Sequence, residues 1–520
     1  MMPFARAVFK ACFAVAFASD AVAQEAPAQR APLSVIDWLG AQETLLPTAK
    51  MPEMVLDEPP VSATGAVPEV QVKPLTEGRP RQIGLVPSTV TGMPATLWSG
   101  SEPARLTKLI TSLPELRLPA AQSLLYTLLL ADAQAPGQSA PAGDALALAR
   151  TTKLMSLGAL DPAMSLIEEA GVSTSPDHFD LWMQISLLLG TEDRACARLS
   201  QAPHLTRDYG VRIFCAARAG NWENASLTFG AAQALKLMPD AKLMLFDRFL
   251  HPEGFEDAPP LPVPSPREID PLTFRLFETI GEPLSTRPLP RAYAVADLRD
   301  VAGWKAQLEA AERLSRAGAL PHNQLLGYLT SRRPAASGGV WDRVAAFQRF
   351  DTALNTASAE AVSKTLLPAW QAAEMAAIEV PFAALFAERL RPIALEGPAK
   401  ERAALIALLS PEFDAAAATQ ILDRQLVTQI ARGELPQDRP EGGLPLAVYQ
   451  AFRGLPPRPD LLAAAQQNRL GEAILEILKL LQQGTEGDPV ALRDALTTLR
   501  ALGFEDAARR AALEVLILEL

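Results

Sequence analysis

The spacing of apolar side chains predicts α-helices over most of the chain from residue 101 onward. Leu106, Leu109, Ile110 and Leu113 recur at intervals of three and four residues, which places them on one face of a helix. The same spacing predicts helices at residues 120–131, 144–157, 161–170, 177–189, 193–199, 209–219, 222–237 and 242–250. Helices are predicted again from residue 272 to the C-terminus, with a strongly periodic one at 304–317.

Clusters of proline divide this pattern into segments. Ten prolines lie between Pro27 and Pro87, and seven between Pro252 and Pro271. Proline removes a backbone donor, so residues 24–100 are predicted to form a flexible Pro-rich arm and residues 251–271 a polyproline-type linker or strap. The remaining chain forms an N-terminal helical block, residues 101–250, and a C-terminal helical block, residues 272–520.

One short segment of the predicted arm is amphipathic. Leu33, Ile36 and Leu39 recur every third residue, Trp38 lies beside them, and Ser34 is a candidate N-cap for a short helix. An apolar, tryptophan-bearing segment in a flexible arm is typical of a docking element. We interpret it as docking on the protein's own helical body, with a foreign partner as the alternative.

Three predicted helix–helix joints share one pattern, in which a glycine ends one helix and an alanine follows five residues later. The pairs are Gly158 with Ala163, Gly220 with Ala225, and Gly503 with Ala508. The glycine suits a left-handed C-cap, and the alanine allows two helices to approach closely. The pattern resembles the joints of tetratricopeptide-like and related α-solenoids, although these glycines lie 62 and then 283 residues apart and show no 34-residue period. The predicted fold class is therefore all-α, an irregular array of αα-hairpins with an extended Pro-rich arm; a plain helical bundle is the alternative.

Composition supports helices and narrows the range of ligands. Apolar residues make up 49% of the chain but aromatic residues only 6%, whereas sheets favour aromatic and β-branched side chains. The net charge of −11 argues against a nucleic-acid partner bound through a basic face. With four histidines and three cysteines, the sequence predicts neither a metal site nor a cofactor.

The N-terminus has the features of a signal peptide. Arg6 and Lys10 precede a short apolar run at residues 11–18, and residues 21–23 read Ala-Val-Ala, the small-x-small pattern of signal peptidase sites. We predict cleavage before Gln24 and export to the periplasm; a short N-terminal helix is the alternative. No later run of about 18 uncharged apolar residues follows, so the exported chain is expected to be soluble and without a membrane segment.

Two cysteines remain after residues 1–23 are removed. Cys196 and Cys215 lie on neighbouring predicted helices, and an even number of cysteines in an oxidising compartment favours pairing. We predict a Cys196–Cys215 disulfide; two buried reduced thiols are the alternative.

Motifs for common enzyme classes are missing from the sequence. It contains no G-x-x-x-x-G-K-[ST] loop, no G-x-G-x-x-G after a strand and no G-x-S-x-G elbow. Lytic transglycosylases, the enzyme class that an exported helical array resembles, carry a catalytic glutamate followed by serine, and this chain has no Glu-Ser pair. Chemistry with two carboxylates stays open because 59 acidic residues offer many pairs, although each alone is interpreted as part of a solvated helix face.

The alanine-rich, exported character also resembles bacterial envelope proteins labelled "antifreeze-like". Ice binding needs threonines at regular spacing on one face or repeated Ala-Ala-Thr units. This triplet occurs once, at residues 417–419, so ice binding is rejected.

The most unusual local sequence lies between two predicted helices at residues 332–343. Its candidate ligand-binding residues are Arg332, Arg333, Ser337, Gly338, Gly339, Trp341 and Arg343. Two guanidinium groups near a glycine turn and a helix N-terminus suit a carboxylate or phosphate. The alternative is a capped loop, in which Trp341 packs into the core and the arginines pair with native acids such as Asp342.

Together these features predict a periplasmic helical-repeat scaffold or adaptor that offers a helical surface to a protein partner in the cell envelope. The alternative is an enzyme acting on cell-wall glycan, or a periplasmic protein that binds an anionic ligand. A pocket containing a carboxylate of perturbed pKa would favour the alternative, and an open surface without one would favour the scaffold.

Overall fold

The computed structural model describes residues 82–419 and 424–519. The predicted signal peptide and the predicted docking residues Leu33, Ile36, Trp38 and Leu39 lie outside these ranges.

Nearly all regular structure in the described ranges is helical, which confirms the all-α prediction. The helices are α1 Ser88–Thr91, α2 Pro103–Ser112, α3 Pro119–Leu130, α4 Ala140–Leu157, α5 Leu160–Ala170, α6 Pro176–Leu189, α7 Glu192–Gln201, α8 Tyr209–Arg218, α9 Trp222–Ala234, α10 Asp240–Leu250, α11 Pro271–Thr279, α12 Ala294–Asp297, α13 Trp304–Ser315, α14 His322–Thr330, α15 Val340–Thr356, α16 Ala359–Ala376, α17 Glu379–Leu390, α18 Gly397–Leu409, α19 Phe413–Thr419, α20 Gln425–Arg432, α21 Gly443–Phe452, α22 Pro459–Gln466, α23 Leu470–Thr485, α24 Pro489–Ala501 and α25 Glu505–Leu518. Two-residue strands, β1 Gln82–Ile83 and β2 Ala133–Gln134, pair antiparallel.

Consecutive helices pack as hairpins at the joints that the sequence predicts. Gly158, Gly220 and Gly503 all adopt positive φ angles, between 76° and 88°, at the ends of α4, α8 and α24. The alanines that follow them, at positions 163, 225 and 508, are completely buried in the next helix. The local pattern was therefore sufficient to predict these three turns and the close helix contacts beside them.

Helices from the two ends of the described chain also pack against each other. Helix α25 lies against α3, and α23 lies against α2 and α3. Gly471 at the start of α23 is in contact with the buried Trp98 ring; a Cβ at this position would lie 2.1 Å from a ring atom. Across the same contact, the backbone N–H of Ala120 donates to the Glu514 carboxylate at 2.9 and 3.0 Å.

The last part of the expected arm is packed against the helices. Residues 82–100 were expected to belong to a flexible arm, but Leu97 and Trp98 are fully buried because their apolar side chains fill the contact with α23. The guanidinium group of the buried Arg150 fixes the neighbouring backbone by donating to the carbonyls of Ile83, Leu129 and Ala131. Burial lowers the pKa of Arg150 to about 10.

The second Pro-rich segment connects the end of α10 at Leu250 to the start of α11 at Pro271. Hydrogen bonds attach it to the helices, since Arg248 donates to the Pro259 carbonyl and the Leu261 N–H donates to Glu282. This stretch follows the helical surface as a strap rather than standing free as a spacer.

Candidate interaction surface

Exposed apolar side chains are concentrated on the hairpin of α9 and α10. Five large ones lie there, and we call them the α9–α10 surface: Trp222, Leu227, Leu235, Leu237 and Met244. Leu227 and Leu235 are 68% and 69% exposed. Contiguous exposed apolar patches mark sites where proteins interact, whereas single exposed apolar residues are ordinary.

The opposite face of α9 explains why these side chains face outward. Ala225, Phe229 and Ala232 are buried against α8 and α10. The Trp222 ring lies 6.0 Å from that of Phe249, which places the start of α9 beside the end of α10. The α9 side chains that point away from these contacts are left in solvent.

Helix α9 is shorter than predicted, and this adds two leucines to the surface. The apolar pattern predicts a helix over residues 222–237, but α9 ends at Ala234 because Lys236 adopts a left-handed conformation with φ 49°. The N–H of Leu237 turns back to the Ala232 carbonyl, the hydrogen bond of a Schellman-type end. Leu235 and Leu237 therefore lie in an exposed turn.

A disulfide joins α7 and α8, the two helices that precede α9 in the chain. Cys196 in α7 and Cys215 in α8 are bonded, with their Cα atoms 4.9 Å apart, which confirms the predicted pair. An ion-pair network lies at the start of α7, where the buried Glu192 carboxylate accepts two hydrogen bonds from Arg275 of α11. Helix α9 is thus attached to a cross-linked part of the array.

In the loop at residues 332–343, the structure assigns structural contacts to two of the predicted ligand-binding residues. Arg343 forms two hydrogen bonds to the buried carboxylate of Glu312, at 2.8 and 2.5 Å. Trp341 is half-buried, with its ring 5.2 Å from that of Trp304. Both side chains are therefore committed to packing between α13 and α15.

The remaining loop residues are exposed. Arg332 and Arg333 form no ion pair with any described residue. Ser337, Gly338 and Gly339 are also exposed, but the N–H of Gly338 already donates to the Asp342 carboxylate at 3.0 Å. A native acid thus occupies one of the donors expected to bind an anion, and ligand binding by the arginine pair stays a prediction.

Two open grooves lie in the described part of the chain. One, of about 460 Å³, lies between α22, the start of α23 and residues 94–96, and no ionisable side chain lines it. The other, of about 340 Å³, has an alanine-rich floor between α17, α18 and α19. Burial raises the pKa of Glu379 to about 7 and that of Glu514 to about 8, yet neither residue lines a groove.

Apolar spacing does not predict the α9–α10 surface, because apolar and uncharged polar residues alternate around α9 without a single apolar face. Glu223 is the one charged residue in the helix, so periodicity could not indicate which face is buried. The low charge of a helix at the edge of the array was the available signal.

No family model, curated protein sequence or solved structure matches this chain. Within residues 82–419 and 424–519, no helix has the length and apolar character needed to cross a membrane. In the same ranges, no group of three or more histidine, cysteine or acidic side chains is placed to hold a metal ion.

Proposed function

We propose that this protein is an exported helical scaffold that binds a protein partner of the cell envelope through the α9–α10 surface. The observation that carries the proposal is the exposure of Leu227 in α9 and of Leu235 in the turn that follows it, while the other face of α9 is packed. A partner that covers these leucines removes their apolar surface from water, which favours association.

Two further observations support this proposal. The Cys196–Cys215 disulfide suits an oxidising compartment, because cytosolic reductants keep most thiols reduced. Glu379 and Glu514, whose pKa values burial raises to about 7 and about 8, line neither groove, which favours a binding surface over a glycan-cleaving site in these grooves.

Site-specific crosslinking in cells tests the proposal. Benzoylphenylalanine at position 231, an exposed alanine on the outer face of α9, should yield one predominant adduct with an envelope protein. Leu227→Glu should remove this adduct, because a charge at the centre of an apolar contact must be desolvated.

Met375→Glu is the matched control. Met375 is 67% exposed on α16, outside the α9–α10 surface, so this variant should leave the adduct unchanged. Equal loss in both variants, or recovery of the protein in the cytoplasmic fraction, would contradict the proposed role.

A further inference from the structure

We propose that residues 33–39 of the same chain bind the α9–α10 surface in the free protein and cover it until a partner displaces them. This inference deepens the proposed function and rests on it, because both assign binding to the α9–α10 surface. It identifies an occupant and a form of regulation: the arm competes with the partner.

The apolar patterns of the two elements match. Leu33, Ile36 and Leu39 have the spacing of one face of a short helix, with Trp38 beside them. On α9, Leu227, Ala231 and Ala234 are exposed at intervals of four and three residues. A short amphipathic helix can therefore lie against α9, with the alanines allowing close approach.

The charges are also complementary. Asp37 lies between Ile36 and Trp38, within the apolar segment. Lys236 is exposed between Leu235 and Leu237 and forms no ion pair with any described residue. An Asp37–Lys236 pair would fix the orientation of the segment, because this cation lies at the C-terminal end of α9.

The intervening chain is long enough. Forty-two residues separate Leu39 from Gln82, the first described residue. A Pro-rich chain of this length reaches about 130 Å when extended, at about 3.1 Å per residue. Strand β1 packs on α5, and α5 to α9 pack in succession, so α9 lies within roughly 50 Å at 8–10 Å per helix layer.

The tether favours this occupant over a second copy of the chain. Binding within one chain does not depend on the protein concentration, whereas binding by a second copy weakens on dilution. Binding within one chain is therefore expected to prevail at micromolar protein.

Photocrosslinking of the purified full chain tests the inference. Benzoylphenylalanine replaces Trp38, which keeps an aromatic group in the segment, and peptide mass spectrometry locates the adducts. We expect crosslinks within one chain to residues 222–244. Leu227→Glu with Leu235→Glu should reduce their yield about tenfold, since two buried leucines are lost, and Met375→Glu should leave it unchanged.

A reversed-charge pair examines the orientation. Lys236→Glu should lower the crosslink yield, and Asp37→Lys combined with it should restore the yield. If the double variant does not restore the crosslink yield, the proposed Asp37–Lys236 ion pair and the assigned orientation are both wrong.

Other outcomes would overturn the inference. Adducts between two chains that increase with protein concentration would assign the surface to a second copy, and adducts to helices other than α9 and α10 would place the segment elsewhere. Capture of an envelope partner at position 231 without any crosslink from position 38 would refute binding of residues 33–39 while leaving the proposed function intact. Crosslinks from position 38 without capture of a partner at position 231 would support binding of residues 33–39 and refute the proposed function.

Discussion

Helices α9 and α23 are both rich in apolar residues, yet the structure uses them in opposite ways. In α23, Ile474, Ile477 and Leu478 are completely buried, and the helix packs against α2, α3, α22 and α24. Helix α9 packs against α8 and α10 and leaves Leu227 in solvent. The difference shows that the position of a helix in the array decides whether its apolar side chains stabilise the fold or remain available for binding.

The largest expected contrast comes from truncating one leucine in each helix. Leu478→Ala should lower the free energy of unfolding by about 2–5 kcal/mol, because it leaves a cavity in a packed core. Leu227→Ala should cost clearly less, since no described helix packs on this side chain and only its proposed contact with residues 33–39 is lost. Urea denaturation of both variants measures the two effects, and similar losses would show that Leu227 is packed as tightly as Leu478 in the folded protein.

The second expected effect concerns the disulfide beneath α9. Replacing Cys196 and Cys215 by alanine should cost about 3 kcal/mol, because the bond closes a loop with a sequence separation of 19 residues in the unfolded chain. The loss should be local: amide exchange should accelerate in α7, α8 and α9 and stay unchanged in α23. Faster amide exchange throughout the chain would mean that α7–α9 and α23 unfold together and do not differ in local stability.

The features that could be predicted from sequence are those that depend on nearby residues. The glycine joints and the cysteine pair follow from short spacings, because a helix C-cap and a helix hairpin are local structures. The contact between α3 and α25 joins Ala120 to Glu514, which lie 394 residues apart, and no periodicity records such a pairing. For the same reason Glu514 was interpreted as part of a solvated face although the structure buries it.

The candidate surface was harder to predict than the fold. Residue type predicted ligand binding by Arg343 and Trp341, but both side chains contact residues of another helix, Glu312 and Trp304. The sequence pattern did not single out Leu227 and Leu235, since only the packing of α9 against α8 and α10 shows which side of α9 remains exposed.

Expressed per pH unit, the smallest expected effect is the pH dependence that Glu514 contributes at the α3–α25 contact. Glu514 lies in α25, which packs against α3 as α23 does, and burial raises its pKa to about 8 against the opposing effects of the Ala120 N–H and Arg510. A carboxyl in the unfolded chain titrates near 4.3. Between these values the folded protein holds a proton that the unfolded chain has released, so the free energy of unfolding decreases as the pH rises through this window.

Substituting Glu514 by glutamine isolates this contribution, because the amide oxygen still accepts a hydrogen bond from the Ala120 N–H and does not titrate. Relative to Glu514→Gln, the wild-type protein should lose up to about 1.4 kcal/mol for each pH unit between about pH 5 and pH 8. Glu223→Gln, at an exposed position of α9, is the matched control for replacing one carboxylate by an amide. Urea denaturation at pH 5.5, 6.5 and 7.5 decides the question: parallel curves for wild type and Glu514→Gln would show that this carboxyl titrates normally, and that the α3–α25 contact is hydrated in solution. A steeper fall of the wild-type free energy of unfolding with pH would instead show that Glu514 is buried in solution. This burial would then distinguish the closed α3–α25 contact from the open face of α9.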